Sequence, residues 1–150
     1  MSRYTTTDTS MAGKRRTKLK LLADTSALLA LVMRNDQYHR EAAGFLKKNP
    51  RMRFVLTDLI LVEVITLVRA RSDSAKAAAV AGDLLRSRRY EVIFVDADLM
   101  SGGLNQLVRF SDKRLSLTDC ISFETMNRLG LGCAFSFDRH FRECGFEMLP

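Results

Sequence analysis

The fold turns on Leu19–Lys20–Leu21–Leu22–Ala23–Asp24–Thr25–Ser26. A short apolar run that ends on Asp–Thr–Ser reads as a buried strand delivered directly into a helix. The side chains of Asp, Thr and Ser accept hydrogen bonds from the free N–H groups of a first helical turn. A strand of this kind opens a βαβ unit, and the rest of the chain can be tested for repeats of that alternation.

The alternation continues to the end. Ala27 to Met33 has the composition of a buried helix. Asn35 or Asp36 is placed to cap an amphipathic helix in which Tyr38, Ala42, Phe45 and Leu46 recur at three- and four-residue spacing, and Asn49–Pro50 stops it. Arg53 to Leu56 is predicted as the second strand, and Thr57–Asp58 opens a long helix to about Arg71. Ser72–Asp73 caps a helix over Ala75 to Arg88. Tyr90 to Val95 reads as a strand and Asp96 to Phe110 as a helix. Ser116 to Leu129 is a further helix ended by Gly130, Cys133 to Phe137 a fourth strand, and Phe146 to Leu149 a last short one. Strands separated by helices predict an α/β fold in three layers, α/β/α, with a mostly parallel central sheet. Residues 18–150 form the expected domain. Residues 1–17 are a Ser/Thr-rich, basic extension, expected to be disordered.

With 150 residues, 47% hydrophobic and 27% charged, the chain has the make-up of one globular domain. No apolar run reaches the ~18–20 residues of a membrane span, and the first residues lack the apolar segment of a secretory signal. The cysteines, Cys120, Cys133 and Cys144, are odd in number and without CxxC spacing. They predict reduced thiols in the cytoplasm rather than a zinc cluster or a disulfide framework. The net charge of +7 points toward nucleic acid, but residues 1–20 hold six basic groups against Asp8, leaving only +2 on the other 130 residues. The arm Lys14–Arg15–Arg16 is expected to be solvated, with phosphate binding as its functional alternative.

Ligands of parallel α/β sheets sit beyond the carboxyl ends of the strands, so acids following strands matter most. Asp24 ends the first strand and Asp138 follows the fourth, in Phe135–Ser136–Phe137–Asp138. Asp119 lies three residues after Ser116, a spacing that equally fits a capping box, and helix capping is an ordinary role for each of these aspartates. Glu63 is different. It lies in Leu59–Ile60–Leu61–Val62–Glu63–Val64–Ile65, with no Lys or Arg three or four residues away, so its charge needs a partner from elsewhere in the fold. Carboxylates gathered without cations repel one another unless a cation sits among them, and hard oxygen ligands suit Mg²⁺ or Mn²⁺. Such sites serve in-line attack of water on a phosphodiester, the cation lowering the water's pKa. The hydroxyls of Thr25, Ser26, Thr118 and Ser136 flank the acids and are placed to orient them. The two histidines, His39 and His140, are too few for a zinc enzyme and are expected on the surface, with contact to substrate phosphate as the functional alternative for His140, two residues from Asp138.

Four segments together resemble the PIN-domain family, and within it the VapC-type ribonuclease toxins of toxin–antitoxin modules. They are Leu22–Ala23–Asp24–Thr25–Ser26–Ala27, Thr57 through Glu63 to Leu67, Leu115 through Asp119 to Ser122, and Phe135–Ser136–Phe137–Asp138–Arg139–His140–Phe141. Ser136 stands where many members have Thr. The resemblance implies a site made by Asp24, Glu63, Asp119 and Asp138 as metal ligands and catalytic residues. It also implies Mg²⁺- or Mn²⁺-dependent endoribonuclease activity on an RNA substrate, a homodimer and a cognate antitoxin. Arg109, Lys113, Arg114, Arg139 and Arg142 are the cations expected to contact RNA phosphates. The alternatives are a stand-alone RNA-processing nuclease of the same type, or a non-catalytic module that binds RNA or protein.

Overall fold

The computed structural model describes residues 20–150, so the basic extension expected over residues 1–17 lies outside the described residues. β1 (Lys20–Ala23) leads into α1 (Thr25–Val32) and α2 (His39–Lys48). β2 (Arg53–Thr57) leads into α3 (Asp58–Arg71) and α4 (Ser74–Arg86). β3 (Tyr90–Ile93) is followed by α5 (Ala97–Arg109) and α6 (Leu117–Leu129), then β4 (Cys133–Phe135), a single-turn α7 (His140–Glu143) and β5 (Glu147–Leu149). All strand pairings are parallel, in the order β3-β2-β1-β4-β5.

That order decides where a site can form. The chain steps outward from β1 to β2 to β3, then returns across the sheet to β4 through α5 and α6. With right-handed crossovers, α1 to α4 cover one face and α5 and α6 the other, giving the expected three layers. The reversal of direction between β1 and β4 is a topological switch point, and it opens a crevice at the carboxyl ends of those two strands.

Helix starts follow local side-chain chemistry. Asp24, Thr57, Asp73, Asp96 and Ser116 each accept a backbone N–H as an N-cap. Capping by Asp24 starts α1 at Thr25, two residues earlier than the composition suggested. Strands β3 and β4 end at Ile93 and Phe135, two residues short of expectation. In β4 the reason is visible: the Phe137 N–H leaves the sheet to donate to the Ser26 hydroxyl at 3.0 Å. Helix α4 stops at Arg86 rather than Arg88, with Ser87 taking an extended conformation. Helix α7 was not anticipated, being too short to show a helical period.

The core is aromatic beneath the switch point. Phe135 stacks on Phe45 of α2 and lies 5.2 Å from Phe54 of β2. Phe123 of α6 meets Phe141 edge-on at 5.0 Å and stacks on Phe146 at 5.4 Å. Phe123, Phe135 and Phe141 are fully buried, and ring pairs of this kind contribute about 0.5–1.5 kcal/mol beyond their buried area. Phe141 therefore anchors α7 against α6. On the other side of α6, a side chain at Gly103 would place its Cβ 2.3 Å from Ile121, so only glycine lets α5 approach this closely. Cys120 is buried, whereas Cys133 and Cys144 are only partly so, and all three are free thiols.

Candidate functional site

The carboxyl edge of the sheet gathers the acids. Asp24 is fixed first: its backbone N–H donates to the Phe135 carbonyl at 3.0 Å, continuing the β1–β4 pairing by one rung. Its side chain is buried, and the Asp24 Oδ2 atom accepts from the Ser26 hydroxyl at 2.8 Å, the Ser136 hydroxyl at 3.0 Å and, more weakly, the Ser26 N–H at 3.3 Å. Those hydroxyls are themselves held. Ser26 accepts the Phe137 N–H, and Ser136 accepts the Asp138 N–H at 2.9 Å. One carboxylate oxygen thus locks the start of α1 to the loop after β4. The bonds given to Asp24 all fall on Oδ2, which leaves Oδ1 for an external partner.

Burial pushes the Asp24 carboxyl up to about 6, with the nearby Asp119 charge adding to the rise and the Ser26 and Ser136 hydrogen bonds opposing it. An acid held this way is poised for a cation, because a positive charge beside it reverses both causes.

Asp119 occupies the first turn of α6. Its carboxylate accepts the Ser116 N–H at 2.9 Å while the Ser116 hydroxyl accepts the Asp119 N–H, a complete capping box. The bland role and the site position are therefore both filled by one residue. Asp138 is held by α7, whose His140 N–H donates to it at 3.0 Å. Ligand atoms of Asp119, Asp138 and His140 all lie within 4.8 Å of one another.

Glu63 and Asp24 stand outside that compact set. Glu63, half-buried in the second turn of α3, accepts a 2.5 Å hydrogen bond from the Thr25 hydroxyl. The partner demanded by its apolar helix is thus, among the described residues, a hydroxyl rather than a cation. Thr25, adjacent to Asp24 in sequence, serves the more distant acid. Thr118, also expected to orient a carboxylate, makes no side-chain hydrogen bond to one among the described residues. Its carbonyl accepts the Ser122 hydroxyl at 2.8 Å.

His140 is the residue whose place in the acidic cluster sequence reasoning missed. Its side chain is only partly exposed: its Nδ1 is buried and lies 3.1 Å from Asp138 Oδ1, off line for a hydrogen bond, and has no other partner among the described residues. The available signal was its position two residues after Asp138, which the unanticipated α7 turns inward. His39 also departs from expectation, its Nδ1 meeting the Ala30 carbonyl at 2.7 Å and joining α2 to α1.

The expected RNA-contacting cations are distributed unevenly. Arg139 and Arg142 lie on either side of the inward-facing His140–Phe141, and Arg139 pairs with Glu143 at 3.4 Å. Lys113 pairs with Asp112 at 2.9 Å and, like Arg109, sits over the Phe110 ring. Arg114 is exposed just before the α6 capping box.

The clustered carboxylate oxygens and the buried aspartate whose charge is opposed by its surroundings fit a divalent cation, while the unpartnered imidazole nitrogen is a softer donor than Mg²⁺ prefers.

Comparison with known proteins shows the family and the fold. The PIN domain family model matches residues 21–147. The 23S rRNA-specific endonuclease VapC20 of Mycobacterium tuberculosis is 30% identical over 131 residues, spanning 87% of this chain and 98% of that protein. Its crystal structure, described as that of a Sarcin-Ricin loop cleaving toxin, superposes with a TM-score of 0.80 over 87% of this chain and 99% of its own. VapBC2 from Rickettsia felis, solved bound to a DNA fragment from its promoter, shares the fold at a TM-score of 0.63 and 11% identity, covering 86% of this chain and 96% of its own. The chain is a homologue of an RNA endonuclease toxin, and it belongs to the PIN-domain family.

Proposed function

We propose that this protein is a Mg²⁺- or Mn²⁺-dependent endoribonuclease acting as the toxin of a toxin–antitoxin pair. The observation that carries the reading is the convergence of Asp119, Asp138 and the buried His140 nitrogen beside Asp24, at the switch point of a parallel sheet. Asp24, Asp119 and Asp138 would hold the cation, with Glu63 completing the acidic wall from α3.

A bound divalent cation supplies a lowered water pKa and neutralises charge on the scissile phosphate and leaving oxygen. The chain's own residues position these events. Ser26 and Ser136 aim Asp24 by occupying its Oδ2. The Ser116 N–H orients Asp119, and the Thr25 hydroxyl orients Glu63. Phe141, buried against Phe123, keeps the Asp138–His140 turn seated over α6. Arg114, Arg139 and Arg142 are the exposed cations closest in sequence to the acids and are the proposed phosphate contacts at this end, with Arg109 and Lys113 farther along the same flank.

The relatives support an RNA substrate and a cognate antitoxin. By analogy with VapC20, whose name specifies 23S rRNA, a ribosomal RNA loop is the first substrate to try. A homodimer belongs to the same reading: Leu104, Leu107 and Val108 of α5 are left exposed at three- and four-residue spacing and supply an apolar face. Among the described residues no helix is long and apolar enough to cross a membrane, and the free thiols suit a reducing cytoplasm.

Calorimetric titration with Mn²⁺ tests the site itself. Binding by the wild type, lost in Asp24→Asn and Asp119→Asn, supports it. A wild type that binds no divalent cation returns the protein to the class of non-catalytic modules.

A further inference from the structure

At the opposite end of the sheet, where β1, β2 and β3 begin, cations predominate, while Glu147 opens β5 at the far side of the same edge. Lys20 opens β1, Arg53 opens β2, and Arg88 and Arg89 precede β3, so the parallel register brings them side by side. With Tyr90 they line a cavity of about 310 Å³. Only Lys20 is neutralised there, by Glu91 at 2.6 Å; among the described residues Arg53, Arg88 and Arg89 have no carboxylate partner.

Ordinary structural roles account for some of this charge. Lys47 and Lys48 end α2 and Arg86 ends α4, where helix dipoles favour cations. Arg89 caps α2 and its following turn, donating to the carbonyls of Asn49 at 2.8 Å and Met52 at 3.1 Å. Its guanidinium keeps its charge, because carbonyls do not neutralise it. Arg53 and Arg88 have no such role: both are exposed, one on the first residue of a strand and one in a loop. In sequence, Lys14, Arg15, Arg16 and Lys18 stand two to six residues before Lys20.

From this juxtaposition we infer that the strand-beginning edge is a second RNA-binding surface, which takes backbone phosphates of a folded RNA whose scissile bond lies at the acidic end. The inference rests on the ribonuclease reading for its choice of RNA among polyanions. Strands of three to five residues at ~3.3 Å per residue put the two ends on the order of 15 Å apart. That is too far for phosphates next to the cleaved bond and within reach of a folded RNA. A short single strand held at the acids leaves the basic edge empty.

The test is the double variant Arg53→Glu/Arg88→Glu in the full chain. Affinity for a long stem-loop RNA and for a short unstructured oligoribonucleotide is measured with Ca²⁺ in place of Mn²⁺ across a salt series. Metal-dependent cleavage of the short strand is measured separately. Each phosphate contact contributes roughly 0.7–0.9 to the slope of log affinity against log salt. The inference predicts stem-loop affinity falling by about tenfold or more and a slope reduced by about 1–2. Affinity for the short strand and its cleavage should change less than about twofold, which also shows that the variant folds. Equal stem-loop affinity and slope in variant and wild type overturns it. So does an equal loss on both RNAs, and so does unchanged RNA binding with loss of poly-glutamate binding, which would make the edge a site for acidic protein. Absence of cleavage by the wild type would count against the ribonuclease reading, while the binding data still decide this one.

Discussion

The two ends of one sheet are made by the same strands and have opposite chemistry. Where β1 and β4 end, Asp119 and Asp138 gather with a buried histidine nitrogen and Asp24 stands close to Asp119, each acid held by a named donor. Where β1, β2 and β3 begin, arginines face a shallow cavity with one carboxylate among them. The modest charge of the domain as a whole conceals this division. The lesson is that net charge describes an average, whereas parallel register sorts residues by their place in a strand. Acids after strands and cations before strands end up on opposite poles.

The acidic pole offers the largest effects. Asp119→Asn should lower metal-dependent RNA cleavage by at least on the order of 100-fold while leaving the capping box able to form, so thermal stability serves as its control. Asp24→Asn should be equally inactive yet more stable than wild type without metal at pH 8. Burial holds the folded carboxyl at about 6 against an ordinary 3.8. Folding therefore takes up a proton between those values, stability falls as pH rises through them, and the full cost of about 3 kcal/mol is present above them. Calorimetric melting in EDTA should show wild-type stability declining from pH 4 toward pH 7, and a flatter profile in Asp24→Asn. An identical decline in both proteins would put the burial cost elsewhere.

Ser136→Ala removes one hydroxyl from Asp24 and the acceptor of the Asp138 N–H, and a loss of about 10–100-fold in cleavage is expected. At the basic pole, Arg53→Glu/Arg88→Glu should cost about tenfold in stem-loop affinity and spare short strands. Gly103→Ala tests the support between the poles. Its methyl group meets Ile121, two residues from Asp119, and should destabilise by about 1–3 kcal/mol, read as a lower melting temperature. Glu91→Gln, which breaks an exposed ion pair with Lys20, should change stability by less than ~1 kcal/mol.

Much of this molecule was legible before its structure. Alternating strands and helices announced the α/β layers, because period and capping residues are local signals carried by segments such as Leu21–Ser26 and Ser116–Gly130. Asp24 and Asp138 drew attention by their place after strands, Asp119 by its spacing from Ser116 and Glu63 by the apolar helix around it, and their role as metal ligands remains the proposal. What stayed hidden depended on contacts between distant segments. His140 looked like a surface residue because α7 is a single turn, seated only by Phe141 against Phe123. Thr25 serves Glu63 rather than its neighbour Asp24, a pairing 38 residues apart that no local pattern carries. The need for glycine at position 103 was not read from the sequence, because its neighbour Ile121 emerges only when α5 meets α6. The basic pole was invisible for the same reason, since Arg53 and Arg88 become neighbours only through the β2–β3 register.

The central claim is that the acidic pole cuts RNA with a divalent cation, and one time course tests it most directly. Purified full-length protein is incubated with a ribosomal RNA stem-loop in EDTA, then with excess Mn²⁺, beside Asp119→Asn. The account predicts intact RNA in EDTA, discrete cleavage once Mn²⁺ is added, and little or no cleavage by the variant. Cleavage that persists in EDTA, or that Asp119→Asn performs at the wild-type rate, would contradict it.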